Sequence, residues 1–371
     1  MRRSGQQPDP YIAWGCALAV ALFVLYVYPG VLSPVKSQFD GACRPIPLGA
    51  SAEDLRFDDA TGLAYLSYLD RTPQKNGKPA TGTVMLVDLK ATEPHVRAAL
   101  TTDPPDFRPA GISLFLPKTG PGPKRLFAVN RTSLGKHSIE IFEQSSTGAF
   151  APVATVSDPL LWSPNALVAV GPKQFYVTND SGFKDRDAAD PKRQSERRLR
   201  ENRSNVLFYD GTRFRVVAAD LDRANGIAMT PDGRTIYVSE SRGRQLRVFD
   251  RDVASGNLKS REVVSVDSMP DNLTIAADGS VWMGSHPRGW DLLRNFRNPA
   301  SLSPTQVLRF DPAATSERVS EIYLNDGTEI SAGTVAAPRG NQFIVGSVTD
   351  HKLLVCTRGS TVTISGPEKE T

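Results

Sequence analysis

Four polar positions along the chain are of the types that could together hold a metal ion. They are Glu53 in SAEDL, Asn165 in SPNALVAVG, Asn225 in RANGIAMTPDG, and the pair Asp271 and Asn272 in MPDNLTI. Carboxylate and amide oxygens are the ligands that Ca²⁺ prefers, whereas zinc prefers nitrogen and sulfur. The pattern therefore predicts a calcium site built from oxygens alone.

Each of these residues, taken singly, has a simpler explanation. Asn and Asp before a strand commonly stabilise a turn through hydrogen bonds to their own backbone. Three of the positions, however, run directly into the apolar segments LVAVG, GIAMT and LTIAA. Such segments would bury the polar residues at the inner end of a structural unit, which favours a shared site over unrelated turns.

A repeated phrase shows which elements could bring these distant residues together. A turn rich in Asp, Gly or Pro is followed by an apolar strand that ends in small polar residues, and this occurs six times. The copies are DDATGLAYLSYLD from Asp58, GPKRLFAVNRT from Gly122, GPKQFYVTND from Gly171, TPDGRTIYVSES from Thr230, AADGSVWMGSH from Ala276, and APRGNQFIVGSVTD from Ala337. The β-rich runs that follow them are GTVMLVDL from Gly82, HSIEIFEQ from His137, SNVLFYDG from Ser204, RQLRVFDRD from Arg244, TQVLRFDP from Thr305, and HKLLVC from His351.

These repeats predict an all-β fold, a six-bladed β-propeller with four strands in each blade. Ligands at the channel mouth of a propeller come from separate blades, in agreement with the wide spacing of the four positions. A β-sandwich is the alternative, but it would not explain six similar phrases. Residues 181–205 and 288–302 depart from the repeat, and we interpret both as inserted loops.

The N-terminal segment predicts a membrane anchor. Residues 11–32 are almost uncharged and long enough to cross a bilayer as a helix, and Arg2 and Arg3 before them favour a cytoplasmic N-terminus. The sequence thus predicts an anchor over residues 1–36 and a propeller over 37–371, anchored in the secretory pathway with the propeller lumenal or extracellular. The alternative is a cleaved signal peptide and a secreted protein, although residues 31–34 offer no clear cleavage site.

Two of the three cysteines bracket the predicted propeller. Cys43 and Cys356 lie near its two ends, and Cys16 lies within the apolar segment. In an oxidising compartment this placement predicts a disulfide between Cys43 and Cys356 that ties the first blade to the last. The alternative is two unrelated buried thiols.

The net charge and the glycosylation motifs limit which partners and modifications we expect. The formal net charge is +4 and the basic residues are scattered, so the sequence lacks the clustered charge typical of nucleic-acid binders, and we expect no nucleic-acid partner. Sequons would permit glycosylation in a secretory compartment at Asn130, Asn179, Asn202 and Asn272.

From about Cys43 to Cys356 the sequence resembles the serum paraoxonase/arylesterase family of calcium-dependent lactonases. The segments that carry the resemblance are GACRPI, SAEDL, PAGIS, PNALVAVGPKQFYVTND, RANGIAMTPDG, PDNLTI, GSHPRG and SAGTVAA. The resemblance implies a six-bladed propeller with a retained hydrophobic N-terminus, one disulfide joining the ends, and two calcium ions in the channel. It implies that the catalytic calcium is bound by Glu53, Asn165, Asn225, Asp271 and Asn272, and that Asp54 is a ligand of the deeper, structural calcium.

Three positions depart from the family pattern. The two histidines proposed in the family to activate water fall on Ala110 and Arg131, and neither residue can act as a comparable base. Ala166 stands where the structural calcium site would have a second carboxylate, which weakens that site. His286 matches the family's histidine in GSHPRG, and it either borders the pocket or is a hydrogen-bonded loop residue.

The sequence therefore predicts a calcium-dependent hydrolase that acts on a small-molecule lactone or aryl ester. More distant gluconolactonase-like propellers share a metal-binding Glu, Asn and Asp without the histidine pair, which makes Asp271 the candidate base. Glu53 and His286 complete the predicted catalytic group, and Arg131 is a candidate for holding the oxyanion or a substrate carboxylate. One alternative is a non-catalytic, calcium-stabilised lumenal scaffold, and a second is a condensing enzyme similar to strictosidine synthase, which would not need this metal set.

Overall fold

The computed structural model describes residues 14, 15, 18, 34–71, 80–91, 94–117, 122–181 and 204–359. The chain divides between Lys36 and Ser37 into two compact units, and all the strands described below belong to the second. Most of the predicted anchor at residues 11–32 lies outside the described residues, so the anchor stays a prediction. Within the described part of the chain, the search for a helix of membrane-spanning length and hydropathy finds none.

The described residues form twenty-four strands, and apolar runs bounded by turns account for most of them. In chain order they are β1 (Gly41–Pro47), β2 (Ser51–Asp58), β3 (Leu63–Leu69), β4 (Thr83–Asp88), β5 (Val96–Ala98), β6 (Pro109–Phe115), β7 (Arg125–Asn130), β8 (Ser138–Gln144), β9 (Phe150–Val156), β10 (Pro164–Ala169), β11 (Phe175–Asn179), β12 (Ser204–Tyr209), β13 (Phe214–Leu221), β14 (Ala224–Met229), β15 (Thr235–Glu240), β16 (Gln245–Arg251), β17 (Leu258–Ser265), β18 (Met269–Ile275), β19 (Val281–His286), β20 (Thr305–Phe310), β21 (Val319–Asn325), β22 (Gly333–Arg339), β23 (Gln342–Ser347) and β24 (Lys352–Arg358).

The strands pair into six antiparallel four-stranded blades. Blades 1 to 5 are β2–β5, β6–β9, β10–β13, β14–β17 and β18–β21, and blade 6 is β22–β24 with β1 as its outer strand. The first strand of each blade contacts the first strand of the next, from β2 through β6, β10, β14 and β18 to β22, and β22 returns to β2. This closed ring is a six-bladed propeller, so the predicted all-β fold is confirmed.

The N-terminal strand closes the ring. Strand β1 pairs along its length with β24, Cys43 lies directly opposite Cys356, and the two form the predicted disulfide. The bridge lies within blade 6, which corrects the expectation that it ties the first blade to the last. The reason is that β1 pairs with the end of the chain instead of with blade 1.

Apolar side chains fill the spaces between neighbouring blades. Phe127 and Ile141 of blade 2, for example, pack with Phe175 and Leu207 of blade 3, and all four are buried. Middle strands covered on both faces need apolar residues throughout, which explains the continuous runs in the repeated phrases. The resulting rigid scaffold positions the inner strands around the channel.

One of the two predicted loops contains a helix, which we name α1 (Gly289–Arg297). The loop prediction is wrong over these residues, because their charged side chains stabilise the ends of a helix. Asp291 lies in the first turn, and Arg294 and Arg297 lie in the last, as the helix dipole favours. Of the other predicted loop, residues 182–203 lie outside the described part of the chain.

The glycosylation expectation needs correction at three of its four sequons. Asn130, Asn179 and Asn272 are almost completely buried, because their side chains hydrogen-bond within the propeller. The folded propeller therefore does not present them for modification. The fourth, Asn202, lies outside the described residues.

Candidate active site

A β-bulge near the start of each inner strand builds one end of the channel. The pairing of each inner strand with its neighbour shifts by one residue at this point, between Ala52 and Leu55 in β2 and at the corresponding place in the other five blades. A bulge re-aims the side chain at the extra residue. The six residues placed in this way, which we name the bulge ring, all line a single cavity: Glu53, Ala110, Asn165, Asn225, Asp271 and Thr334.

A second set of side chains comes from the end of the second strand of each blade. Antiparallel pairing places these ends beside the bulges, so both sets face the same cavity, whose volume is about 940 Å³. We name this set the strand-end ring: Leu69, Arg131, Asp180, Ser241, His286 and Val348. Two rings with one member from each blade therefore define the site.

The structure brings the five predicted ligands of the catalytic calcium together. Glu53, Asn165, Asn225 and Asp271 belong to the bulge ring, and Asn272 is buried directly after Asp271. The Nδ2 group of Asn272 donates to Glu53 Oε1 at 2.9 Å and to the Glu53 carbonyl at 3.1 Å, although 219 residues separate the two in sequence. The inner strands of different blades thus supply one site.

Four oxygens of this set are buried without a hydrogen-bond partner among the described residues: Glu53 Oε2 and the Oδ1 atoms of Asn165, Asn225 and Asn272. The three amide nitrogens, by contrast, all donate hydrogen bonds: Asn272 Nδ2 as described above, Asn165 Nδ2 to Asp180 at 3.2 Å, and Asn225 Nδ2 to Ser241 at 3.1 Å. Buried oxygens without a donor are costly, and four of them in one site indicate a missing positive partner.

The chemistry of the four oxygens fits a calcium ion. The set mixes amide and carboxylate oxygens, which Ca²⁺ accepts readily. Among the described residues there is no group of three or more His, Cys, Asp or Glu that could hold a metal, as expected when amides supply most of the ligands. The residues present therefore fit calcium better than zinc.

The carboxyl of Glu53 shows how strongly the site favours a bound cation or proton. Its pKa is raised to about 7, chiefly by burial, with smaller contributions from the neighbouring carboxylates of Asp271 and Asp54, although Arg71 and the Asn272 hydrogen bond oppose the rise. A carboxylate in such surroundings is stabilised by a proton or by a metal ion.

Asp271 and His286 form a hydrogen-bonded pair at the cavity wall. His286 Nε2 lies 2.9 Å from Asp271 Oδ2, and His286 Nδ1 has no hydrogen-bond partner among the described residues. This network favours the tautomer in which Nε2 carries the proton and donates to the carboxylate. The side chain of Asp271 is 11% exposed and that of His286 only 3%, so the carboxylate is the more accessible member of the pair.

Asp54 has a different environment from its neighbour Glu53. Its Oδ1 accepts from Arg56 Nη1 at 2.5 Å and from the Leu55 backbone at 2.9 Å, and its Oδ2 accepts from the Ile112 backbone at 2.8 Å. A guanidinium already compensates this fully buried carboxylate, and Ala166 offers no second one. The residues here do not fit a second calcium ion, and the role predicted for Asp54 stays untested.

Comparison with known proteins identifies the family to which these residues belong. The sequence profile of the arylesterase family matches residues 60–358. The chain is 32% identical to serum paraoxonase/arylesterase 1 of Rattus norvegicus over 321 residues, which cover 83% of this chain and 86% of the relative. It is 30% identical to serum paraoxonase/lactonase 3 of Oryctolagus cuniculus over 303 residues, with 80% and 81% covered. The chain belongs to the arylesterase family.

Solved structures similar to this arylesterase-family chain show the same fold. A luciferin-regenerating enzyme aligns with a TM-score of 0.51 at 13% identity and covers 86% of this chain and 97% of its own. A gluconolactonase candidate aligns with a TM-score of 0.51 at 15% identity, covering 90% and 97%. The predicted resemblance to arylesterases, and more distantly to gluconolactonase-like propellers, is confirmed.

Two of the three departures from the arylesterase pattern lie within the two rings. Ala110 takes the bulge-ring position of blade 2, and Arg131 takes the strand-end position of the same blade. Arg131 pairs with Asp180 of the next blade at 3.2 Å between Nη1 and Oδ2. Blade 2 therefore presents a methyl group and a guanidinium to the cavity.

Sequence reasoning missed several cavity residues of this arylesterase-family chain, among them Thr334, Asp180, Arg71 and Arg108. Thr334 and Asp180 have a sequence signal, since they occupy the blade positions equivalent to Asp271 and His286 and could be found by aligning the repeats. Arg71 and Arg108 have no such signal, because they lie in loops outside the aligned positions.

Proposed function

We propose that this chain is a calcium-dependent hydrolase of lactones or aryl esters. The observation that carries the proposal is a set of four buried oxygens without hydrogen-bond partners among the described residues, three on residues that line the cavity beside the Asp271–His286 pair and the fourth on Asn272, which hydrogen-bonds to Glu53. The names of its relatives, which include arylesterase and lactonase, support the same reaction class.

Glu53, Asn165, Asn225, Asp271 and Asn272 are the residues that would hold the calcium ion. When bound, the ion would polarise the carbonyl of the substrate and stabilise the negative charge that develops on its oxygen. The hydrogen bond from Asn272 to Glu53 holds two of these side chains in place before any ion binds.

Asp271 is the proposed general base. Its carboxylate takes a proton from the water that attacks the carbonyl carbon, and the proton then passes to the leaving alkoxide, which gives an acid and an alcohol. His286 holds Asp271 through the 2.9 Å hydrogen bond and stabilises the ionised carboxylate. In this role His286 positions the base and does not replace the family's absent histidines.

The disulfide supports a second part of the proposal, that the propeller matures in an oxidising compartment of the secretory pathway. The membrane anchor at residues 11–32 and the lumenal or extracellular location of the propeller remain part of this proposal. Extraction of the expressed protein from membranes with carbonate and with detergent tests the anchor.

The decisive experiment assays the purified protein on a panel of lactones and aryl esters, with and without a calcium chelator. We expect hydrolysis that chelation abolishes and that added calcium restores. Calorimetric titration of calcium provides a readout that does not depend on turnover.

The competing function is a calcium-stabilised scaffold without activity, which Ala110 and Arg131 favour because they replace the expected bases. Calcium binding with no hydrolysis of any substrate in the panel would support the scaffold and contradict the enzyme.

A further inference from the structure

Of the five arginines in the described lining of the cavity, Arg223 and Arg242 belong to blade 4 and the other three lie together on one side. Arg71 follows β3, Arg108 precedes β6 and Arg131 follows β7, and all three line the cavity where blades 1 and 2 meet. Backbone contacts hold them together: Arg71 Nη2 donates to the Pro109 carbonyl at 2.6 Å, and the Arg131 amide donates to the Arg108 carbonyl at 3.1 Å. We name these three residues the arginine cluster.

Two members of the arginine cluster have no carboxylate partner among the described residues. The guanidinium of Arg71 donates to Ser51 Oγ at 3.3 Å and to the Pro109 carbonyl, and that of Arg108 donates to the Ala80 carbonyl. Neutral oxygens satisfy some of their N–H groups, and no carboxylate of the described residues forms an ion pair with either guanidinium. The cluster therefore retains positive charge on the cavity wall.

The surroundings of Arg71 show that this charge is not fully balanced within the protein. Burial lowers the pKa of Arg71, and the nearby charges of Arg131 and Arg108 lower it further, whereas Glu53 and Asp271 oppose the effect. Glu53 and Asp271 are also the carboxylates that would bind calcium, and a bound dication would use their negative charge. Among the described residues, Arg71 and Arg108 then have no anionic partner, and an anion on the substrate would supply one.

The opposite side of the cavity is apolar. Helix α1, which follows β19 in blade 5, contributes Leu292, Leu293 and Phe296 to the lining, and Met269 at the start of β18 in the same blade adds to the apolar surface. Blade 5 lies across the ring from blade 2. The cavity thus offers a cationic wall and an apolar wall on either side of the oxygen ligands.

We propose that the substrate is a lactone or ester that carries a carboxylate, which the arginine cluster binds, and an apolar arm, which packs against α1. A planar guanidinium binds a carboxylate through two parallel hydrogen bonds, and a buried site strengthens them. This inference rests on the proposed hydrolytic function and adds the chemical class of the substrate.

The test uses two aryl esters of equal length, a half-ester of a dicarboxylic acid and the same compound with its free acid converted to a primary amide. We expect kcat/KM to be about tenfold higher or more for the carboxylate, as for one charged hydrogen-bonded pair. Arg71→Gln and Arg108→Gln should each remove most of this preference, measured as the ratio of kcat/KM for the carboxylate to kcat/KM for the amide in the same variant. Arg71→Lys should restore part of it, because the charge returns without the planar fork.

Arg223→Gln is the matched control. Arg223 also lines the cavity, but it precedes β14 in blade 4 and lies away from the arginine cluster, so the same loss of charge should leave the carboxylate preference intact. An equal loss in Arg223→Gln, or equal rates for the two substrates in the wild-type protein, would overturn the proposal while hydrolysis itself still stands.

A binding measurement separates the substrate proposal from the proposed function. Titration of the wild-type protein and Arg71→Gln with a monoamide of a dicarboxylic acid, and with the matching diamide, needs no turnover. Selective binding of the monoamide that Arg71→Gln weakens by about tenfold supports the cluster as an anion site even if no ester is hydrolysed. Equal binding of the two compounds contradicts it. Circular dichroism and thermal melting establish that each variant folds.

Discussion

Glu53 and Asp54 are neighbours in one bulge, yet the hydrogen bonding of their carboxylates differs. Both oxygens of Asp54 accept hydrogen bonds from Arg56 and two backbone amides, so they are satisfied within the chain even though burial raises the pKa of this carboxyl. Glu53 keeps one buried oxygen without a partner, as do the three asparagines near it. The difference distinguishes a carboxylate that holds the propeller together from one that is prepared for a ligand.

The comparison extends from the two residues to the two levels of the channel. At the level of Glu53, the bulge ring leaves oxygens free and the cavity is open to substrate. At the level of Asp54, the inner strands of blades 2 and 4 approach their neighbours so closely that they carry glycine: a Cβ atom on Gly226 would lie 2.4 Å from the Asp271 carbonyl, and one on Gly111 would lie 2.5 Å from the Ala166 Cα. The open level is suited to function and the closed level to stability.

The largest effect is expected from Asp271→Asn at the open level. The change keeps an oxygen near the calcium site but removes the proposed base, and loss of a general base typically lowers the rate about 10²–10⁴-fold. The hydrolysis rate should fall by this amount while the melting temperature changes little.

Asp267→Asn is the control for this prediction, since Asp267 is a fully exposed carboxylate that lies four residues before Asp271. It should leave the rate unchanged. A folded, calcium-binding Asp271→Asn protein with normal activity would show that the base is another group.

At the closed level, Arg56→Met should lower the free energy of unfolding by about 3–5 kcal/mol, because it leaves the buried Asp54 carboxylate without its cation. Urea unfolding in the presence of chelator measures this loss. The double variant Asp54→Asn with Arg56→Met should recover much of the stability, since both charges are then absent.

The same pair of sites predicts the calcium stoichiometry. Calorimetric titration of the wild-type protein should give one ion per chain, because Arg56 already pairs with Asp54, the carboxylate predicted to bind a second calcium ion. Two ions per chain would contradict our interpretation of the Asp54–Arg56 pair.

Calcium should stabilise the protein by binding at the level of Glu53 alone. A ligand that binds only the native state at one hundred times its Kd contributes about 2.7 kcal/mol, which is visible as a higher melting temperature. Glu53→Gln should greatly reduce this shift, whereas Arg56→Met, although less stable, should keep it. An identical melting curve in calcium and in chelator would exclude the proposed site.

The repeated phrases predicted the middle of each blade well, because buried middle strands must be apolar and their turns need Gly, Asp or Pro. The outer strands were harder to predict, since β17 alternates between exposed and half-buried residues and resembles a loop in composition. Likewise β1 follows no local pattern, because its partner β24 lies at the far end of the chain.

Within the site, the ligand set could be predicted because four of its five members take the same place in their blades and the fifth, Asn272, directly follows one of them. The environment of Asp54 could not be predicted in the same way. Arg56 lies only two residues away, a spacing that places both side chains on one face of a strand, but the sequence alone does not show that Arg56 and not a metal ion meets the buried carboxylate. The arginine cluster could not be predicted, because its members come from segments of blades 1 and 2 that meet only in the folded propeller.

The smallest effect that we predict is on the pH dependence of calcium binding. The pKa of Glu53 is raised from 4.5 to about 7 in the metal-free protein, so the folded state binds this proton more tightly than the unfolded state. Between these two values the metal-free protein should gain stability as the pH falls. Calcium must displace the proton in that range, so its affinity should fall by about tenfold for each pH unit below 7. Titrations at pH 8 and pH 6 therefore should differ by about tenfold in Kd. Glu53→Gln should bind calcium more weakly, and its Kd should differ little between the two pH values. An equal wild-type Kd at both pH values would show that Glu53 is not a ligand.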